Sequence, residues 1–271
     1  MNHLIEETLQ AILKRTGGFE PEFGIILGTG LGNLIEDIEI AHQVSYSNIP
    51  NFPISTVEFH RGKLIFGELG GRKVVAMQGR FHYYEGYTMQ QITFPIRVMK
   101  ALGIQKLFVS NASGSLNPEI KKGDLGVIVD HIDLMPENPL RGLNNSSLGP
   151  RFPDMSQPYD RKMIQQALEI ARKHGYSVHE AVYVGTSGPN LETKAEYRYM
   201  RIIGGDIVGM STVPEIIVAN HARLPVFAIS VITDEGFHED LQPVSLEDIV
   251  AVATESEPKL TQILKELVAL Q

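Results

Sequence analysis

The sequence predicts an α/β fold: a single domain with a mixed, largely buried β-sheet flanked by helices. Short apolar runs rich in Val and Ile recur along the chain, with the length and composition of buried strands. Between them, apolar residues return at helical spacing. The length of 271 residues suits one large α/β domain, taken as 1–271, and no repeat or linker divides it.

In chain order, an opening helix over about 2–16 is expected to stop at Gly17-Gly18, a pair suited to a C-terminal cap. "FGIIL" (23–27), "KLIFGEL" (63–69), "KVVAM" (73–77), "KLFVSN" (106–111), "LGVIV" (125–129), "AVYVGT" (181–186) and "VFAISVIT" (226–233) read as strands. Ile164, Leu168 and Ala171 share one helical face, and Leu260, Ile263, Leu264 and Leu267 share another. The stretch 136–158, "PENPLRGLNNSSLGPRFPDMSQP", has neither period and is dense in Pro, Gly, Asn and Ser. A loop this long in a compact domain is usually functional or mobile.

The formal charge of −8 argues against general affinity for nucleic acid or an anionic membrane, so any anion must be bound locally. No run of 18 apolar residues occurs, and "MNHLIEETLQ" is acidic where a secretory signal is basic and then apolar. A cytoplasmic protein is expected. The absence of cysteine excludes disulfides, thiolate metal sites and a thiol nucleophile.

"ILGTGLGNL" (26–34) carries glycines at 28, 30 and 32, which bring backbone close to a ligand or simply make a tight strand exit. It is not a dinucleotide fingerprint, because Asn33 stands where the third glycine belongs. Nor is it a Walker loop, since no Gly-Lys is followed by Ser or Thr. "MQGRFHYYEGY" (77–87) sets Arg80, His82 and Tyr84 at alternating positions, on one side of the chain if it stays extended. Guanidinium, imidazole and phenol together make an oxyanion clamp, although a solvated aromatic loop fits the spacing as well.

"VSNASGS" (109–115) again runs from a strand into small residues, whose amides at Ala112 and Ser113 face a ligand or an ordinary turn. "SGPNLETKAE" (187–196) puts Glu192 before a helical run, as a helix N-terminal partner or as a recognition carboxylate. In "GMSTVPE" (209–215), Thr212 suits an N-cap and Pro214 the first turn of a helix. Ligand sites of α/β sheets gather at strand ends, so these stretches carry more weight together than apart.

"GTGLG", "MQGRFHYYEGY", "VSNASGS", "SGPNLETKAE" and "GMSTVPE", in this order over nearly the whole chain, closely resemble the trimeric class of purine nucleoside phosphorylases. The resemblance implies reversible phosphorolysis of purine nucleosides to free base and ribose 1-phosphate, in purine salvage, with inorganic phosphate as a substrate and no cofactor or metal. Thr29, His60, Arg80, His82, the Ala112 amide and Ser211 would hold the phosphate. Tyr84 and Met210 would lie by the ribose, and Tyr183, Leu191, Glu192 and Asp234 by the base. His82, Glu192 and Asp234 would be the catalytic groups.

Phe152, in "RFPDMS" (151–156), matches an aromatic residue that completes a neighbouring subunit's ribose pocket, which implies a homotrimer. Leu191 stands where many relatives have phenylalanine. Leu246 falls where a relative's histidine approaches the 5′-hydroxyl, and Asp234 where members selective for inosine and guanosine carry asparagine. The last two departures lean towards a methylthioadenosine phosphorylase; a silent purine-binding protein is the reading outside enzymes. "DHID" (130–133) and "FHED" (237–240) mix histidine with carboxylates, but metal sites are recognised by geometry, not composition.

Overall fold

The computed structural model describes residues 1–54 and 62–271. Among these the chain runs α1 (Asn2–Arg15), β1 (Phe23–Leu27), β2 (Glu39–Ser45), β3 (Lys63–Leu69), β4 (Arg72–Gln78), α2 (Met89–Ala101), β5 (Lys106–Ser115) and β6 (Leu125–Asp133). It continues through α3 (Arg161–His174), β7 (Val178–Gly185), α4 (Lys194–Ile202), β8 (Ile207–Gly209), α5 (Val213–His221), β9 (Val226–Glu235) and α6 (Leu246–Ala269). No helix among the described residues is long and apolar enough to cross a membrane.

The strands join in the order β2-β3-β4-β1-β5-β8-β7-β6-β9, and β9 pairs again with β5, closing five strands into a ring. The sheet is mixed, as expected: β1 is parallel to β4 and β5, whereas β2, β3 and β4 are successively antiparallel. β1 is buried along its whole length, which is why it reads as a continuous apolar run rather than an alternating one. Sequence patterning misses β2, which is polar and mostly exposed, and β8, whose three residues are too short to show a period.

The helices cover the sheet with the faces their spacing predicts. α6 buries Leu260, Ile263, Leu264 and Leu267, while α3 buries Met163, Ile164, Ala167, Ile170 and Ala171 and leaves Leu168 half-covered. α1 ends at Thr16, and the Gly18 amide donates to Leu13 O at 2.9 Å, so the glycine pair does close the helix. Residues 134–160 form turns and bends without helix or strand.

One feature of the ring positions the site. β9 runs beside β5 from Leu107 to Ser115, but β5's other edge pairs with β1 only over 106–109 and with β8 only over 114–115. Between these contacts β1 and β8 diverge, and residues 110–113 border a gap in the sheet.

Candidate active site

At the end of β1 the chain turns over Gly28–Leu31, with the Leu31 amide donating to Gly28 O at 3.1 Å. The turn lies hard against β5: the Gly28 amide donates to Ser110 Oγ at 3.3 Å, and a Cβ on Gly28 would stand 2.7 Å from Asn111 Cα. Only glycine allows that approach. On its far side the loop is held by Glu257 of α6, whose Oε1 accepts from the Asn33 amide at 2.6 Å. Burial pushes the Glu257 carboxyl up from its ordinary range.

Arg80 follows β4 and is 1% exposed. Its Nε and Nη2 donate to the two carboxylate oxygens of Glu215 at 3.1 and 2.9 Å, and its Nη1 donates to Ser110 O at 2.8 Å and Ser211 Oγ at 3.3 Å. The extended chain expected here is interrupted, because Tyr83–Glu85 form a 3-10 turn. Arg80, His82 and Tyr84 nevertheless line one cavity. The His82 and Tyr84 rings stack at 4.7 Å and 13°, while Glu85 Oε1 accepts from the His82 amide at 2.7 Å and lies 3.3 Å from His82 Nδ1. Burial lowers the His82 pKa, against the opposing pull of Glu85, so the ring favours its neutral form.

Ser211 and Thr212 turn the chain from β8 into α5. Thr212 does occupy the N-cap position, but its side chain makes no capping bond. Its φ of 70° and ψ of −57°, with the Val213 amide donating to Ser211 O at 2.8 Å, form a γ-turn of the strained hand. A β-branched residue at such a φ is an outlier that the surroundings must hold in place. Asn111 does so: its Nδ2 donates to Thr212 Oγ1 at 2.9 Å, and its Oδ1 accepts from Ser230 at 2.6 Å.

The other end of the cavity is acidic. Glu192 precedes α4, but α4 is capped by Thr193 and Glu196, which leaves the Glu192 carboxylate to accept from Thr186 Oγ1 at 3.0 Å. Asp234, near the end of β9, is 8% exposed and accepts from Thr233 Oγ1 at 2.9 Å. It packs on Gly114, where a Cβ would stand 2.7 Å from Asp234 Oδ2. Burial raises both carboxyls, and the charge of Asp234 adds to the rise at Glu192.

The cavity, about 570 Å³, brings together Thr29, Arg80, His82, Tyr84, Ala112, Leu191, Glu192, Met210, Ser211, Asp234 and Leu246. Two expected residues lie outside this cavity. Tyr183 is fully buried behind Gly209, its hydroxyl accepting from the Ser211 amide at 3.3 Å, so it props the wall and does not touch the cavity. Phe152 is 86% exposed in the long loop and lines a separate surface hollow with Met155 and Ile217. His60 lies outside the described residues. In the two His/carboxylate stretches, His131 Nδ1 lies 3.0 Å from Tyr159 Oη and His238 Nε2 lies 2.6 Å from Glu235.

Residues 22–269 match the family model described as Phosphorylase superfamily. "Purine nucleoside phosphorylase 1" of Geobacillus stearothermophilus is 47% identical over 268 residues, covering 99% of this chain and 98% of that protein. The chain belongs to the phosphorylase superfamily, among its purine nucleoside phosphorylases. It is likewise 45% identical to the Bos taurus purine nucleoside phosphorylase, over 97% of this chain and 93% of that one. A schistosoma purine nucleoside phosphorylase solved in complex with hypoxanthine superposes with a TM-score of 0.91 at 40% identity, over 98% of this chain and 96% of that chain. The Schistosoma mansoni purine nucleoside phosphorylase in complex with adenosine gives the same figures.

Sequence reading of this phosphorylase overlooks Glu215 and Asn111, although both lie inside quoted motifs. Glu215 reads as an ordinary first-turn helix acid, and Asn111 as the end of an apolar strand. It also overlooks Tyr197 on α4, which is buried, bonds to Glu192 and has its ring against Gly236.

Proposed function

We propose that this phosphorylase catalyses the reversible phosphorolysis of purine nucleosides, with inosine and guanosine favoured, giving free base and ribose 1-phosphate. The observation that carries this reading is one cavity with two chemically opposite ends. Arg80, His82, Thr29, Ser211 and the Ala112 backbone suit an oxyanion, Glu192 and Asp234 suit the polar edge of a base, and Tyr84 and Met210 lie between them.

In this reading the phosphate lies against Arg80 and the surrounding N–H and O–H donors, on the face of the sugar opposite the base. As the glycosidic bond stretches, the sugar gains oxocarbenium character. The phosphate stabilises that cation and then bonds to the anomeric carbon, while the bond's electron pair leaves with the purine. Glu192 accepts the N1–H of a 6-oxopurine. Asp234, whose carboxyl burial favours in protonated form, donates to N7 as negative charge grows there. Neutral His82 supplies a donor without adding a charge to be cancelled. Ser211 acts as a dipole and not as a nucleophile: its hydroxyl is held by Arg80 and lies 3.0 Å from Thr212 Oγ1. Phosphate enters as substrate, and the reaction needs no metal or cofactor.

The reading extends to a cytoplasmic homotrimer in which Phe152 completes a neighbour's nucleoside pocket, supported by the exposure of that ring on a long loop. A second reading, methylthioadenosine phosphorylase, is favoured by Val244, Leu246 and Ile249. These make an apolar wall suited to a modified 5′ position. Incubation with inosine, guanosine, adenosine and methylthioadenosine, with and without phosphate, separates the two through the free base released. Release that requires phosphate and is fastest with inosine or guanosine is expected; release without phosphate indicates a hydrolase, and none with any substrate a binding protein.

A further inference from the structure

Glu215 sits in the first turn of α5, buried like Arg80, and both of its oxygens accept from the guanidinium. This bidentate geometry fixes the plane of the guanidinium, and it also sets a full negative charge against the positive one. At the same end of the cavity, Glu85 stands against His82. Each side chain among the described residues at this end that can carry positive charge is therefore already faced by a carboxylate.

We propose that Glu215 is a positioning residue that also sets the charge of the phosphate site: it orients Arg80 and cancels its charge, so that phosphate is held by oriented N–H and O–H dipoles. The inference rests on the phosphate assignment made above. Its consequence is kinetic. Ribose 1-phosphate carries the same anionic group as inorganic phosphate, so an uncancelled guanidinium in this enclosed setting would hold substrate and product alike. Such uniform binding lowers KM without lowering the chemical barrier and retards the product.

The test is Glu215→Gln, which keeps the side-chain volume and one acceptor for Arg80 while removing the charge. Titration calorimetry with inorganic phosphate is expected to show about tenfold tighter binding, from the attraction of one newly uncancelled charge across a partly buried site. KM for phosphate and for ribose 1-phosphate should fall together. A purely structural Glu215 predicts the opposite, because a loosened guanidinium binds phosphate more weakly; unchanged or weaker binding in Glu215→Gln overturns the proposal.

Should that variant fail to fold, the wild-type chain decides. A site without net charge gives a phosphate Kd that changes by less than about fivefold between roughly 0.05 and 0.5 M salt, whereas a larger change marks an uncancelled charge and overturns the proposal. Wild-type protein that neither binds phosphate nor requires it for base release removes the phosphorylase reading itself, a result distinct from either outcome in the variant.

Discussion

Alanine at Gly28 tests whether the glycine loop is shaped for its contact with β5 or is only a strand exit. The added Cβ would stand 2.7 Å from Asn111 Cα and 2.8 Å from Ser110 O, both of them backbone atoms of a buried strand. Carbon contacts are comfortable at about 3.5–4.0 Å, so loop and strand must separate by roughly 1 Å. Thr29 follows Gly28 and Ala112 follows Asn111, so two walls of the cavity move apart together. A displacement of that size near reacting groups costs about 100-fold in rate. Overpacking of this kind destabilises by about 1–3 kcal/mol, which at this chain length lowers Tm by roughly 2–12 °C.

Gly32→Ala is the control within the same loop. Gly32 has φ −88°, and its added Cβ would meet nothing nearer than Gln78 Nε2 at 3.9 Å. Its effect should stay within about 0.5 kcal/mol. The assay is hypoxanthine release from inosine over a range of phosphate concentrations, with a thermal melt of each variant. Equal losses at the two positions, or a Gly28→Ala enzyme within about threefold of wild type in kcat/KM for phosphate, would refute the reasoning.

Arg80→Ala leaves Glu215 buried without its partner and should cost about 3–5 kcal/mol of stability, with a far larger rise in phosphate KM than Thr29→Ala, whose hydroxyl is worth about 1 kcal/mol. Equal rises would show that the phosphate end is misassigned. Asp234→Asn has a pH signature. Because burial raises the folded-state pKa of Asp234, the stabilisation from its protonated form is complete below the ordinary carboxylate range and is lost as pH rises through the raised value. The asparagine variant should therefore melt higher than wild type near pH ~7.5, with the gain fading towards pH ~4. The same change should move the preference further towards inosine over adenosine, tenfold for about each 1.4 kcal/mol of differential binding; an unchanged ratio means that Asp234 does not read the base. Phe152→Ala should lower kcat/KM for the nucleoside and leave phosphate binding unaltered, and sedimentation of an active wild-type monomer would exclude a shared site.

The strands legible in the sequence are those buried on both faces, whose apolar runs need no partner to be recognised. β2 and β8 were not legible because an exposed strand at the edge of the sheet and a three-residue strand leave no period to read. The site residues were legible as polar interruptions at strand ends, but not their division of labour. Tyr183 and Arg80 are both almost wholly buried, and only the fold decides that Tyr183 supports the Ser211 turn while Arg80 reaches the cavity. Glu215 lies 135 residues from Arg80, and no local pattern announces a pair at that separation.

The closed ring explains why the clues were scattered. A strand whose two edges are fully paired has little backbone to offer a ligand, yet β5 must border both the β1 side of the sheet and the ring that returns through β8. The transition occupies 110–113, and three of the motifs meet at its margin: the glycine loop rests on Ser110 and Asn111, Arg80 donates to Ser110 O, and Asn111 holds the strained turn at Thr212. Asp234 packs against the next residue, Gly114. The small residues of "VSNASGS" follow from this position. Larger side chains at 110–113 would fill the gap that the diverging strands create, so the segment least distinctive in sequence is the one on which the two ends of the cavity are built.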